Sequence, residues 1–192
     1  PNLVPEKSDN LEASLRYEDS RTQASITVYE NKVRNLIALD ASFVPFNANK
    51  ATLKGMTFAA NHQINNWQFN GSVDIQSPRD DETNNLLVRR SNRNAKFNIS
   101  YQWQDWRIGA ESVSSSKRYN DAANQQSLAG YTLFNFNSEY QINSEWKLQA
   151  RLNNVFDKDY ALAYDGNPST SGFVYNTPGS NLFVNLKWES KQ

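Results

Sequence analysis

Apolar and polar residues alternate along most of this chain with a period of two, and the pattern returns nine times. The clearest instance is Ala95–Ala110. Ala95, Phe97, Ile99, Tyr101 and Trp103 alternate with Lys96, Asn98, Ser100 and Gln102. Gln104 and Asp105 leave room only for a hairpin turn, after which Trp106, Ile108 and Ala110 resume the alternation. Successive side chains of a strand point to opposite faces, so each segment is predicted to have one apolar and one polar face.

Taken in order, strands are expected over 10–17, 22–37, 49–62, 67–76, 95–103, from Trp106, over 134–140, 146–153 and 182–188. The third changes phase. Ala51 and Leu53 share one parity and Met56, Phe58 and Ala60 the other, and a β-bulge at Gly55 would restore one continuous apolar face. No stretch shows a helical period. Short connections (18–21, 63–66, 104–105, 143–145) alternate with long polar ones (38–48, 77–94, 114–130, 157–180). Such a meander puts every short turn on one rim and every long loop on the other.

Period two does not say whether the apolar face meets a protein core or lipid, and a soluble sandwich or lipocalin-like barrel would alternate equally. Three features favour lipid. Trp67, Trp103, Trp106, Trp146 and Trp188 all fall on the short-turn rim, joined by Tyr17 and Tyr140, as in the aromatic belts of membrane interfaces. The opposite face is polar throughout, with Glu12, Arg16, Asp74, Lys96, Arg107, Glu111, Glu139, Lys147, Arg151 and Lys187. The apolar faces run for about nine residues, the length a tilted strand needs to cross a bilayer; soluble strands are usually about five or six. The expected fold class is all-β, an antiparallel up-and-down transmembrane β-barrel segment.

Composition changes this picture little. The 192 residues carry twenty basic and twenty acidic side chains, which leaves no electrostatic footprint for nucleic acid. The absence of cysteine excludes disulfides and cysteine-bound zinc. No signal peptide and no run of about eighteen apolar residues is visible, and Pro1 in place of methionine reads as a processed or excised start. The only histidine, His62, has no partners for a triad or a metal site near it in the pattern, so a structural role is expected. Asp80–Asp81–Glu82 reads as a solvated loop rather than a hard-cation site, because no glycine-spaced ligand loop surrounds it.

Specific words then point to a family. L-N-N-V-F-D-K-D-Y (Leu152–Tyr160) resembles the penultimate-strand motif of TonB-dependent outer-membrane receptors, and Y-N-T-P-G-S-N-L-F-V-N-L-K-W (Tyr175–Trp188) resembles their last loop and closing strand. N-L-V-P-E-K-S (Asn2–Ser8), L-K-G-M (Leu53–Met56) and L-V-R-R (Leu87–Arg90) are similar to further elements of these barrels. Ser180 stands where the family usually has arginine, and Glu-Ser-Lys-Gln follows Trp188 where family barrels end on an aromatic residue.

The resemblance implies the last nine strands of a barrel of about twenty-two, with residues 1–192 the C-terminal portion and the plug domain and earlier strands absent from the chain. It implies a multi-pass outer-membrane location, contact with outer-membrane lipid and lipopolysaccharide, coupling to TonB through the missing plug, and the remaining strands supplied by another chain or a severed portion. It implies transport rather than an enzyme, with no cofactor and with calcium only in the missing part. Within the family, order and spacing are most similar to receptors that import cobalamin; a receptor for a ferric siderophore or other metal chelate, or a soluble ligand-binding β-domain, are the alternatives. By resemblance Arg89 and Tyr175 match residues that approach the bound corrinoid. Arg90 adjoins Arg89, and Ala123–Asn124 replace a Tyr-Ser of the family loop. Arginine's planar donor fork suits the amide and phosphate oxygens of such a ligand. Charge pairing for the arginines and loop packing for Tyr175 are the competing roles.

Overall fold

The computed structural model describes residues 3–39, 44–47, 50–166 and 172–190. In chain order the strands are β1 (Lys7–Glu18), β2 (Thr22–Arg34), a short pair β3 (Ile37–Leu39) and β4 (Pro45–Asn47), β5 (Ala51–Ile64), β6 (Trp67–Asp80), β7 (Arg93–Trp103) and β8 (Trp106–Ser115). There follow a second short pair β9 (Arg118–Tyr119) and β10 (Ser127–Leu128), β11 (Tyr131–Gln141), β12 (Trp146–Asn153), a third pair β13 (Ala161–Asp165) and β14 (Phe173–Asn176), and β15 (Asn181–Trp188). Nine of them make one sheet in the order β1-β2-β5-β6-β7-β8-β11-β12-β15, antiparallel at every step. These are the nine strands the alternation predicts. Among the described residues β1 and β15 each keep one edge of the sheet unpaired.

Register sorts the side chains as the pattern requires. The rows Ala60↔Gly71↔Phe97 and His62↔Phe69↔Ile99 lie on the apolar face, while Asp74, Lys96, Glu111 and Arg151 lie on the other. The short-turn rim carries the aromatic belt. The rings of Trp67 and Tyr101 are 4.6 Å apart, those of Trp106 and Tyr140 4.6 Å, and those of Trp146 and Trp188 6.5 Å. From Trp103 up to Ala95 the apolar face of β7 runs about 27 Å along the strand, or roughly 20 Å of membrane depth at the usual tilt. Above that level charged residues take over the same face, with Glu30 beside Lys54 and then Arg93 next to Ile75. Tight turns close the lower rim, with Asn65 (φ 50°) and Gln104 (φ 52°) in the left-handed region.

The expected bulge at Gly55 is not formed. Gly55 pairs with Tyr29 on one side and Gln76 on the other, with unbroken register on both. The phase change has another cause: Ala51 and Leu53 lie on the polar face, at the top of β5, and Ala51 is buried there at 1% exposure. Glycine serves a close approach instead. A Cβ at Gly55 would lie 2.8 Å from the Tyr29 hydroxyl and 2.5 Å from the Ile75 carbonyl oxygen. The slot admits the Tyr29 ring, whose hydroxyl donates to Asp74 Oδ1 at 3.3 Å, beside the Thr57 hydroxyl donating to the same oxygen at 2.8 Å.

The long connections are more ordered than polar composition suggests. β6 continues to Asp80, and the three short hairpins β3–β4, β9–β10 and β13–β14 stand in stretches read from sequence as loops. Of those stretches, residues 40–43, 48–49 and 167–171 lie outside the described residues, as do Pro1–Asn2 and 191–192 at the ends.

Two predictions arise from this wall. Gly55→Val closes the slot under Tyr29 and is expected to destabilise the full-length receptor by about 1–3 kcal/mol, the usual cost of overpacking, read as a lowered denaturant midpoint in detergent; an unchanged midpoint removes the slot from the account. At the β1–β2 turn, hydrogen bonds from the Arg21 amide, the Tyr17 hydroxyl and the Thr22 amide hold the Asp19 carboxyl down to about 2. A depressed carboxylate stabilises above its unfolded value and loses that contribution as pH falls through the folded one. Asp19→Asn should therefore lower the midpoint at pH 6, and the difference from wild type should shrink as pH approaches 2. A difference constant with pH would show that the charge does not hold the turn.

Candidate ligand-binding site

The long-loop rim is stitched together by asparagine side chains. Asn120 presents its amide to the backbone of Tyr164: its Oδ1 accepts the Tyr164 N–H at 3.0 Å and its Nδ2 donates to the Tyr164 carbonyl at 3.1 Å. Asn124 does the same to Leu86, accepting its N–H at 2.8 Å and donating to its carbonyl at 2.9 Å. An amide side chain is the shape of a peptide group, so each asparagine acts as one rung of a ladder between loops. Asn85 adds a donor to the Ala122 carbonyl, and the Asp121 carboxylate accepts the Gln125 and Gln126 amides to close the loop that carries both asparagines. Three connections (81–92, 116–130 and the β13–β14 hairpin) thereby become one body.

Arg89 sits at their junction. Its backbone has φ 59°, its N–H donates to the Tyr119 carbonyl at 2.7 Å, and its guanidinium donates to Asn120 Oδ1 at 3.1 Å and to the Tyr164 carbonyl at 3.4 Å. Arg90 follows with an exposed side chain that makes no hydrogen bond or ion pair with a described residue. Tyr175 belongs to the same hairpin, one residue from Val174, the strand partner of Tyr164. It is 58% exposed. The structure therefore gathers the four residues singled out from sequence onto one stitched rim in two kinds of setting. Arg89 and Asn124 are engaged in holding loops, whereas the side chains of Arg90 and Tyr175 are exposed and make no hydrogen bond or ion pair with a described residue.

Asn120 and Arg118 were not singled out from sequence. Arg118 is 4% exposed, packs against the Tyr131 ring and donates to the Ala161 carbonyl at 2.7 Å. No periodicity marks either residue, since each acts on backbone far away along the chain. His62 has a structural setting: it lies on the apolar face with its Nδ1 3.0 Å from the Thr22 hydroxyl. Asp80 caps the Glu82 and Thr83 amides, and among the described residues no group of acidic or histidine side chains is arranged to hold a metal.

Below the rim, the polar face carries a charge network. Glu111, 8% exposed, accepts from Lys96 at 3.0 Å, Arg151 at 2.6 Å and Asn135 at 2.8 Å, and Asn135 in turn accepts the Asn154 amide at 2.9 Å. Lys147 pairs likewise with Glu139 at 3.1 Å and Arg107 donates to Gln102 Oε1 at 3.3 Å, which fits a wall facing a polar lumen.

Residues 1–155 match the family model described as TonB dependent receptor-like, beta-barrel. The chain belongs to this family. Its members lie in the outer membrane, so the apolar face meets lipid and the polar face lines the barrel lumen. The vitamin B12 transporter BtuB of Photobacterium profundum is 33% identical over 168 residues, covering 83% of this chain and 28% of the relative. The chain thus spans under a third of the length of that receptor. Two solved structures share the fold: the copper transporter OprC (TM-score 0.82, 22% identity, 97% of this chain and 31% of that one) and the ferric yersiniabactin receptor FyuA from Yersinia pestis (TM-score 0.80, 15% identity, 95% and 30%).

Removing the Asn124 amide leaves the Leu86 N–H and carbonyl without partners, at about 1 kcal/mol per lost bond. In the full-length receptor, Asn124→Ala is expected to speed proteolytic nicking within 81–92 and 116–130 several-fold while leaving the nine-strand wall intact. Unchanged nicking would mean that other contacts hold the loops.

Proposed function

We propose that this chain is the C-terminal part of a receptor barrel that takes up a corrinoid across the outer membrane in a TonB-dependent manner. The observation that carries the reading is the 33% identity to a vitamin B12 transporter over 83% of the chain. The family motifs at Leu87–Arg90 and Tyr175–Trp188 that flank the stitched rim add to it. In this reading Arg90 and Tyr175 contact the ligand directly. Arg89 and Asn124 hold the loops that present them, with the guanidinium of Arg89 free to give further donors to amide or phosphate oxygens. Capture needs no covalent chemistry. The free edges of β1 and β15 join the remaining strands of a barrel of about twenty-two, because an unpaired strand edge in hydrocarbon leaves backbone groups unsatisfied at several kcal/mol each. The plug within that barrel receives TonB.

Titration of the full-length receptor, reconstituted in lipid, tests the substrate. Cyanocobalamin is expected to bind tightly and ferric siderophores not; tight binding of the chelates alone would replace the corrinoid by a ferric chelate. Arg89→Ala, Arg90→Ala and Tyr175→Ala should each weaken cyanocobalamin binding, the arginine variants by about 1–3 kcal/mol if they remove charged hydrogen bonds. A variant that binds as wild type takes its residue out of the site.

A further inference from the structure

One side chain of the stitched rim touches both the arginine loop and the hairpin that carries Tyr175. Asn120, half-buried, uses its whole amide. Its Oδ1 accepts the Tyr164 N–H at 3.0 Å and the Arg89 Nε–H at 3.1 Å, while its Nδ2 donates to the Tyr164 carbonyl at 3.1 Å and to Gln126 Oε1 at 3.2 Å. A carboxamide offers two donors and two acceptor lone pairs, so none is left over. Turning the amide over would set donor against donor at both the Tyr164 N–H and the Arg89 guanidinium. Only one orientation serves, and it ties Arg89 to Tyr164.

Arg89 is thereby anchored at both ends on consecutive residues, its backbone N–H on the Tyr119 carbonyl at 2.7 Å and its side chain on Asn120. Nε and Nη2 lie along one edge of the guanidinium, and Asn120 Oδ1 and the Tyr164 carbonyl occupy that edge. The plane of the group is fixed, and its Nη1–Nη2 edge, two parallel donors suited to a two-oxygen anion, makes no ion pair with a described residue. On the hairpin side, β13 has a backbone ladder with β14 alone. Among the described residues, the hydrogen bonds joining β13 to the rest of the rim end on Ala161, from Arg118, or on Tyr164, from Asn120 and Arg89. Tyr164 pairs with Val174, the neighbour of Tyr175. What fixes Tyr164 therefore fixes the stretch that presents Tyr175.

We infer that Asn120 is a positioning residue for ligand capture, holding the Arg89 guanidinium and the Tyr175 hairpin at one separation so that the two act as a unit. The inference rests on the reading that Arg89 and Tyr175 meet the ligand. Asn120 itself has no valence left for a ligand and acts through the groups it holds. A long side chain and a loop both lose freedom when a ligand orders them, and a clamp that orders them beforehand removes that cost from binding. Without the clamp the competent arrangement is populated only in part, and apparent affinity falls by that fraction. Asn124 has a different office, since its bonds reach Leu86 and Asp121 but neither Arg89 nor β13.

The full-length receptor, reconstituted in lipid, tests this with and without ligand. Nitroxide labels on Val88→Cys and Leu162→Cys, both exposed positions, report the separation of the arginine loop and the hairpin by double electron–electron resonance. Asn120→Ala is expected to broaden that distance distribution. Asn120→Asp keeps an acceptor for the Tyr164 N–H and for Arg89, and should stay close to wild type. An unchanged distribution in Asn120→Ala overturns the inference whatever the receptor imports, and so does equal broadening in both variants, since the accepted bonds would not be the link. With cyanocobalamin, Asn120→Ala is expected to weaken binding about tenfold through lost pre-organisation. Added to Arg89→Ala or to Tyr175→Ala, the same change should weaken binding by at least about threefold less than it does alone, because a group it positions is already gone. Losses that simply multiply overturn the coupling. A wild-type receptor that does not bind cyanocobalamin would reject the corrinoid reading, and the label distances would then support or overturn the role of Asn120 by themselves.

Discussion

Everything in this chain depends on one constraint: in hydrocarbon a backbone N–H or carbonyl finds no water, so it must find another strand. Pairing nine strands in unbroken antiparallel register meets that demand for all but the two outermost edges. Once the backbone is committed to a sheet, period-two alternation assigns each side chain to lipid or lumen with no freedom left. The aromatic belt, the luminal charge network and the cationic margin all follow from that assignment.

The two faces solve opposite problems. Toward lipid the wall needs apolar bulk, and the exceptions are informative: Gly71, Ala60 and Ala110 open a groove, and Arg93 and Lys158 lie where the apolar band ends, with no ion pair to a described residue. Toward the lumen most of the charges are paired or hydrogen-bonded. Glu111 takes three donors at once, and Asp74 takes the hydroxyls of Tyr29 and Thr57. Glycine serves this face differently, since Gly55 makes room for Tyr29 and Gly109 for the Asn137 amide, whose oxygen would lie 2.6 Å from a Cβ there.

Above the membrane the logic changes. Loops outside the bilayer are not constrained by period two, and here side-chain amides replace strand ladders. Asn120 and Asn124 each read the N–H and carbonyl of a residue far along the chain, so three loops present Arg90 and Tyr175 from one framework. A receptor rim built this way holds its polar groups in place without a hydrophobic core of its own, Leu128 being one of the few fully buried side chains.

Strand number, order, the lipid-facing side and the rim that bears the tryptophans were all legible in the residues, because each rests on short-range periodicity and on local turn lengths. The family, too, was legible, in contiguous words such as Leu152–Tyr160. The phase change in β5 was seen but its cause was not: a bulge and a slot for a neighbouring ring both call for glycine at position 55, and only the placement of Tyr29 on the adjacent strand separates them. The loop hairpins, the role of Asn124 as a clamp, the buried Arg118 and the turn of Lys158 to the outer wall rest on contacts between residues up to 44 positions apart. Such pairings leave no local trace, since any polar loop could supply the same side chains. Alternation decided which way each strand residue faces; only the folded chain decided which of them meet.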